Sequence, residues 1–529
     1  MVEGRKDRLS RLAGPGRAGR FPARLGGGGK GPGMRNGRAG ARRAGGKEAG
    51  VRNPWRWAWV ALLAAWLPAC ISVGPDYQRP AVAKPPEQYK ELGEWTPISP
   101  RPAASDMAWW SVYGDAKLDE LERQVNVSNE TLKASEAAYR QALAIVRENQ
   151  AGYFPTLSVG LTGQRGPVTA ASGARPVQNQ VDASLEASWA PDIWGRIRRA
   201  VESAKASAES SEADLAAARL SVQSTLATDY FSLRIDDELA RLYEQTVKAY
   251  EETLEITRNQ FEAGTAAETD VITALTQLQG EQAQLIGIGV QRAQLEHAIA
   301  VLIGKRPDEF SIERVTLVRE VPVVPAGLPS TLIERRPDVA AAERAAAAAS
   351  AQIGVATAAY FPTLTLTGSV GYMSSALAGL FAAGNRVWSV GPQLAETLFD
   401  AGLRGAQVDA ARAAYEQSVA NYRQAALAAF QQVEDDLAAL RILEKQAQIQ
   451  ELAVTSAREA VRLTIYQYEA GTVAYTNVVT VQAIALADEQ NLLTTLGSRL
   501  NASVSLIAAL GGGWDERMLS GGGSAQAAR

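Results

Sequence analysis

Cysteine and histidine are almost missing from this chain: its 529 residues hold one of each, Cys70 and His297. A lone cysteine excludes an internal disulfide, and one residue of each kind excludes a Cys/His zinc site within one chain. No cofactor motif, metal-ligand cluster or catalytic set is present. A nucleophile–histidine–acid hydrolase would rest on His297 alone, and that residue sits beside Glu296 in a helical stretch. Long apolar runs are missing too. The run 57–67 has 11 residues, against the ~20 that a membrane-spanning helix needs. With 21% charged residues and a mean hydropathy of −0.13, a polytopic helical membrane protein is excluded. Glycine and proline are both absent from 196–263 and from 406–470.

The net charge of −3 hides an asymmetry: residues 1–69 carry 15 Lys/Arg and 3 Asp/Glu, and the remainder is acidic. Residues 1–50 are Gly/Arg-rich without hydrophobic periodicity, which predicts a disordered extension ahead of the true start, at Met34 or later. The segment lacks interleaved aromatics beyond Phe21, so no nucleic-acid partner is expected. Residues 51–69 place Arg52 and Arg56 before the apolar run and a small Ala69 before Cys70, the layout of a signal peptide. "LPAC" resembles the bacterial lipobox, which makes Cys70 the expected lipidated N-terminus of the mature chain. Ile71, not Asp, follows Cys70, which by resemblance to bacterial lipoproteins favours the outer over the inner membrane. Residues 70–115 then form an extended leader.

From there the sequence repeats itself. "YFPTL" occurs at 153–157 and 360–364, "QFEAGT" at 260–265 answers "QYEAGT" at 467–472, and Gly195 answers Gly402, all at one fixed offset. Two tandem units are expected, 116–303 and 338–510, joined by a connector at 304–337 and followed by a flexible tail at 511–529. In each unit a helix ends at the YFP motif, at 118–150 and 339–359, because proline disfavours helix in the residue before it. Two alternating stretches follow, "PTLSVGLTGQ" and "VDASLEASWAP" in the first unit, "PTLTLTGSVGYMS" and "VWSVGPQLAETLF" in the second. Their period of two and length of about ten residues suit tilted transmembrane strands, and Trp189, Trp194, Tyr372 and Trp388 lie near the ends. The two stretches without Gly or Pro predict helices of about 100 Å, with coiled-coil packing of sparse large residues such as Leu226 and Leu440. Gly264 and Gly471 permit reversal, and helices return over 267–303 and 474–510. "VEDDL" at 433–437 reads as a solvated helix face.

Four strands per chain cannot close a barrel, and open sheet edges are forbidden in lipid. The chain must therefore oligomerise, to eight strands as a dimer or twelve as a trimer, with the helices extending the barrel as a tube. A lipid-anchored adaptor or scaffold is the competing class, and two helical hairpins with four membrane-length strands disfavour it.

"CISVGPDYQRP" at 70–80, the Trp109–Trp110 pair, "YFPTL", "ERRPDVAAAE" at 334–343 and the two "EAGT" turns together resemble the outer membrane factor family, TolC-like and NodT-type lipoproteins of tripartite efflux systems. The resemblance covers about 70–510. It implies a mixed α/β membrane protein, a homotrimer with a twelve-stranded outer-membrane β-barrel continued by an α-helical periplasmic barrel. The implied partners are a periplasmic adaptor, an inner-membrane RND-type pump and outer-membrane lipid. The activity implied is passive conduction of drugs and toxic compounds, not catalysis. It assigns the tips, Gly264, Thr265, Gly471 and Thr472, to adaptor docking, and pairs Asp270 with Tyr468 in a hydrogen bond that holds the tips closed. Asn477 and Thr480 stand where well-known members carry carboxylates. Closure is therefore expected to rest on tip hydrogen bonds rather than on an acidic ring.

Overall fold

A computed structural model describes residues 72–82, 85–86, 88–92, 108–167, 173, 175–317, 320–324 and 329–519. The basic extension, the signal segment and Cys70 lie outside the described residues.

The described residues include eight α-helices and four strands. Helix α1 is Ala116–Ser128 and α2 is Glu130–Ala151, where the sequence predicts one helix over 118–150. The break is Asn129, whose backbone leaves helical geometry (φ −65°, ψ 123°) and whose side chain accepts from the Leu132 N–H. Strands β1 (Thr156–Pro167) and β2 (Val177–Trp189) follow, then α3 (Arg196–Glu262), α4 (Glu268–Leu302), the short α5 (Pro329–Arg335) and α6 (Pro337–Ala358). Strands β3 (Thr363–Ser374) and β4 (Arg386–Ala395) precede α7 (Leu403–Glu469) and α8 (Tyr475–Ala509). The first residues of α2, β1, α3 and α4 recur, at the offset of the sequence motifs, as the first residues of α6, β3, α7 and α8. Helix α7 begins three residues before the predicted 406. Gly402 adopts the left-handed conformation needed to enter the helix (φ 91°), and one glycine inside a long helix, Gly405, costs only about 1 kcal/mol.

The strands form one antiparallel sheet in the order β1-β2-β3-β4. Its register repeats as well: Thr156 faces Ser188, and their equivalents in the second unit, Thr363 and Ala395, face each other too. Side chains alternate between faces. Leu157, Val159 and Leu161 share one face with Leu185 and Trp189, with Val370, and with Trp388, Val390 and Leu394. The opposite face carries Thr156, Ser158, Asp182, Glu186, Thr367 and Ser389. Both faces are largely solvent-accessible in the single chain, Val159 to 85% and Trp388 to 69%. At the helix-bearing end, Trp194 stacks on Phe361 (centroids 4.8 Å apart) and donates to the Pro362 carbonyl.

Helices α3 and α7 have 67 residues each, a reach of about 100 Å. Each packs against its returning partner, α4 or α8. Those partners are half as long, and the missing height is filled by stacking. The Asn129 amide donates to the Leu302 carbonyl (2.7 Å), and the Ser128 hydroxyl to that of Ile303 (2.7 Å), which sets α2 on the end of α4. In the second half Arg336, at the position equivalent to Asn129, donates to the Ala509 carbonyl (3.0 Å) and sets α6 on α8. Each junction satisfies helix-end carbonyls that otherwise lack partners.

The main core lies at this mid-height, where Leu118, Leu121 and Val125 of α1 meet Leu226, Tyr230 and Leu233 of α3, Leu437 and Leu440 of α7, and Leu500 and Val504 of α8. Trp109 and Trp110 close it edge to face, 5.9 Å apart. The start of the tail is packed, contrary to the flexible tail expected from 511 onward. Gly512 lies so close to Leu220 that a Cβ would stand 2.4 Å from it, and Trp514 and Leu519 bury against Ala213, Ala340 and Ala341. "VEDDL" is likewise only partly solvated: Val433 and Leu437 are core residues, and Glu434 accepts the N–H groups of Lys90 and Glu91 (2.8 and 2.9 Å).

That last contact belongs to a strap. The leader starts beside the sheet, where the Val73 N–H donates to the Trp194 carbonyl. The buried Arg199 guanidinium holds the Val73 and Gly74 carbonyls and Asp76. The strap then passes Glu343 (bonded by Tyr77), Tyr422 and Glu516 (both bonded by Arg79) and Arg423 (bonding the Ala81 carbonyl). Residues 72–82 of the expected leader are extended, whereas Lys90–Leu92 and Trp109–Tyr113 form short 3-10 helices.

Candidate functional site at the helix tips

The two reversals far from the sheet are built alike. Gly264 and Gly471 end their helices in the left-handed conformation, φ 75° and 68°, where a side chain costs energy. The Thr265 N–H and hydroxyl both donate to the Gln260 carbonyl (2.9 and 3.0 Å), and those of Thr472 to the Gln467 carbonyl (2.9 and 2.8 Å). Each threonine thus double-caps its helix, a role that spacing alone does not reveal. Residues 261–265 and 469–472 are exposed, with Phe261 presenting an apolar ring to solvent.

The tips are joined to each other. Gln260 Nε2 donates to the Tyr468 carbonyl (3.3 Å). Behind it Tyr250, Leu254, Ala274, Leu278, Tyr468, Tyr475 and Val478 form a separate apolar cluster, and the Tyr468 and Tyr475 rings lie 5.4 Å apart. Above the cluster the contacts turn polar, with the partly buried Glu281 carboxylate close to Tyr243 and Tyr250. Gln482 donates to Thr253 (3.2 Å), Gln277 and Gln482 meet at 3.4 Å, and Gln490 donates to Tyr243 (3.2 Å). Sequence reasoning missed this seam. Its only signal is glutamine and tyrosine at helix positions that otherwise read as surface.

The expected Asp270–Tyr468 hydrogen bond is not formed in this chain. Tyr468 is 5% exposed, and its hydroxyl lies buried without a partner in hydrogen-bond geometry. Burial raises its pKa, the nearby Thr257 hydroxyl lowers it, and the Asp270 charge raises it. The cluster explains the miss: Tyr468 is drawn inward against Tyr475, whereas Asp270 stays half-exposed in the first turn of α4, its N–H bonded to the Ala267 carbonyl. Asn477 and Thr480 are both exposed, one turn apart on α8, and the Thr480 hydroxyl is satisfied by the Thr476 carbonyl (2.8 Å).

Other candidates are dispersed. His297 is exposed on α4. Among the described residues no group of three or more His, Cys, Asp or Glu side chains is placed to hold a metal ion, and no helix is long and apolar enough to cross a membrane. Asp436 has its pKa pushed up to about 6, by burial and then by the Asp435 charge.

Residues 121–305 and 328–512 match the family model described as outer membrane efflux protein, and the two matched segments repeat the offset of the motifs. The chain belongs to the outer membrane efflux protein family. Among curated relatives it is 32% identical to the toluene efflux pump outer membrane protein TtgC of Pseudomonas putida over 464 residues, 87% of this chain and 96% of that one. It is 28% identical to the probable outer membrane lipoprotein SilC of Salmonella typhimurium over 456 residues, 85% of this chain and 97% of that one. Among solved structures, the outer-membrane channel OprN superposes with a TM-score of 0.77 at 27% identity, covering 84% of this chain and 100% of OprN. As an outer membrane efflux protein, this chain has its place in the outer membrane and its work in efflux.

Proposed function

We propose that three copies of this chain close a twelve-stranded outer-membrane barrel, continued by the helices as a periplasmic tube, and that the tube passively conducts small molecules outward. The observation that carries this reading is the sheet: four strands of membrane length, one face apolar and accessible, the other polar, with both edges unpaired. Unpaired edges cannot stand in lipid, so β4 of one copy must meet β1 of the next. Three copies give twelve strands and a lumen, whereas two give eight and a filled interior. The repeat of element bounds and strand register at a single offset supports descent from a tandem duplication. TtgC, an efflux pump outer membrane protein, supports a tripartite assembly with a periplasmic adaptor and an inner-membrane RND-type pump.

The tips around Gly264, Thr265, Gly471 and Thr472 are the surface offered to the adaptor. Gating is assigned to the seam between the tips. Tyr468 and Asp270 lie at its end, and the neutral Asn477 and Thr480 line the approach. Cys70 would carry lipid, as the description of SilC as a lipoprotein suggests for this chain. Val73, three residues on, sits beside the strand ends, so the lipid would start at the membrane.

The test is migration in detergent. Outer-membrane extracts should give a trimer band that collapses to a monomer on heating. A protein that migrates as a monomer before heating, and forms no channels in planar bilayers, would overturn the barrel reading. Cys70→Ser, exported behind a cleavable signal, should still trimerise, because the strands are the main anchor.

A further inference from the structure

We propose that the outer rim of the sheet binds phosphorylated glycolipid headgroups of the outer leaflet through Arg165 and Arg386. The inference rests on reading the sheet as a barrel segment and concerns what its rim touches.

The charges of the sheet segregate by face. Asp182 and Glu186 lie on the polar face, whereas Arg165 and Arg386 lie on the apolar one. Arg165 follows Leu157, Val159 and Leu161 on β1, about 13 Å beyond Leu161 along the strand. Arg386 heads the β4 series that runs through Trp388 and Val390 to Leu394. Both are exposed and pair with no carboxylate among the described residues. Both stand toward the end of the sheet remote from the helices, because α3 and α7 leave from the opposite ends of β2 and β4. Arg175, exposed between β1 and β2, adds a third guanidinium at that end.

A guanidinium on a lipid-facing surface costs about 2–4 kcal/mol at the bilayer midplane and about 0–1 near the interface. A position at the outer interface, with an anion supplied there, is the arrangement that makes two unpaired arginines tolerable. Phosphate is the matching anion, since the guanidinium fork meets its oxygens in pairs. Closure strengthens the case. If β4 meets the next copy's β1 in the register that the repeat carries over from β2 and β3, Arg165 stands opposite Val390. That is four residues, about 13 Å, from Arg386 along the same seam. A disaccharide with a phosphate at each end spans such a gap.

The experiment titrates purified trimer in mild detergent with a bisphosphorylated diglucosamine lipid, reading tryptophan fluorescence (Trp388 is two residues from Arg386 on the same face) and native mass. The wild type should bind saturably. Arg165→Gln with Arg386→Gln should weaken binding by about tenfold or more, and Arg165→Lys with Arg386→Lys should keep most of it. Unchanged binding by the double Gln variant would overturn the proposal, as would equally tight binding of the dephosphorylated lipid or of phosphatidylglycerol. Heat-modifiable migration of the same samples tests the barrel separately, so a misfolded variant or a wrong assembly is recognised as such.

Discussion

The Asn129 amide accepts from the Leu132 N–H and donates to the Leu302 carbonyl, so one side chain caps the start of α2 and the end of α4. Aspartate is as good an N-cap but has no donor when ionised, and its carboxylate would face the Leu302 carbonyl. Asn129→Asp should therefore destabilise the protein by about 1–2 kcal/mol, seen as a lower Tm; an unchanged Tm would mean that the junction is held by packing alone. Glu122 makes the opposite kind of demand. It is fully buried on α1, both carboxylate oxygens lack partners, and burial pushes its pKa from 4.5 up to about 9. The folded chain holds a proton that the unfolded chain releases, so stability should fall as pH rises from 4.5 toward 9. At pH 7 the cost is about 3 kcal/mol. Glu122→Gln should flatten that decline and raise the Tm at pH 8, measured by thermal melts across pH; a parallel decline in both proteins would sink the assignment.

At the scale of elements, the tips turn on backbone conformation. A Cβ on Gly264 would meet nothing within 4 Å, so Gly264→Ala pays only for its positive φ, about 1–2 kcal/mol. Hydrogen exchange of amides 260–270 should speed up accordingly, while the mid-height core stays protected; unchanged exchange would show the turn to be set by its neighbours. Much of this layer was legible in the sequence. Two stretches without Gly or Pro and one repeated spacing located α3, α7 and the turns within a few residues, because helix breakers and period-two alternation are local signals. What stayed hidden depends on distant partners. The break at Asn129 exists because α4 ends there, the burial of Trp514 because Ala340 and Ala341 stand opposite, and the inward turn of Tyr468 because Tyr475 and Tyr250 wait for it. The expected Asp270–Tyr468 bond failed for the same reason: the resemblance named the residues, but the cluster around them decides where the hydroxyl points.

At the scale of the whole molecule, the strap joins what the repeat separates. Its partners include Arg199 in the first half, and Glu343, Tyr422, Arg423 and Glu434 in the second. One further anchor, Glu516, lies 437 residues from Arg79. Removing Arg199 takes away a buried hub with contacts to two carbonyls and two carboxylates. Arg199→Ala should leave the helical hairpins intact yet make residues 72–82 sensitive to limited proteolysis; a leader as resistant as wild type would count against the hub.

The strap also orders events in time. Much of its binding groove is assembled from residues that leave the ribosome hundreds of positions later, and contacts of such separation form slowly. Val73 to Asp76 dock on Trp194 and Arg199, made early, whereas Arg79, Lys90 and Glu91 stay loose until Tyr422, Glu434 and Glu516 have followed. A chain truncated before 511 loses no residue of the strap, yet it lacks the anchor at Glu516 and the packed Trp514. It should present a strap loosened around Arg79 to limited proteolysis, so the contact that fastens residues 79–82 also reads out whether 511–519 are in place.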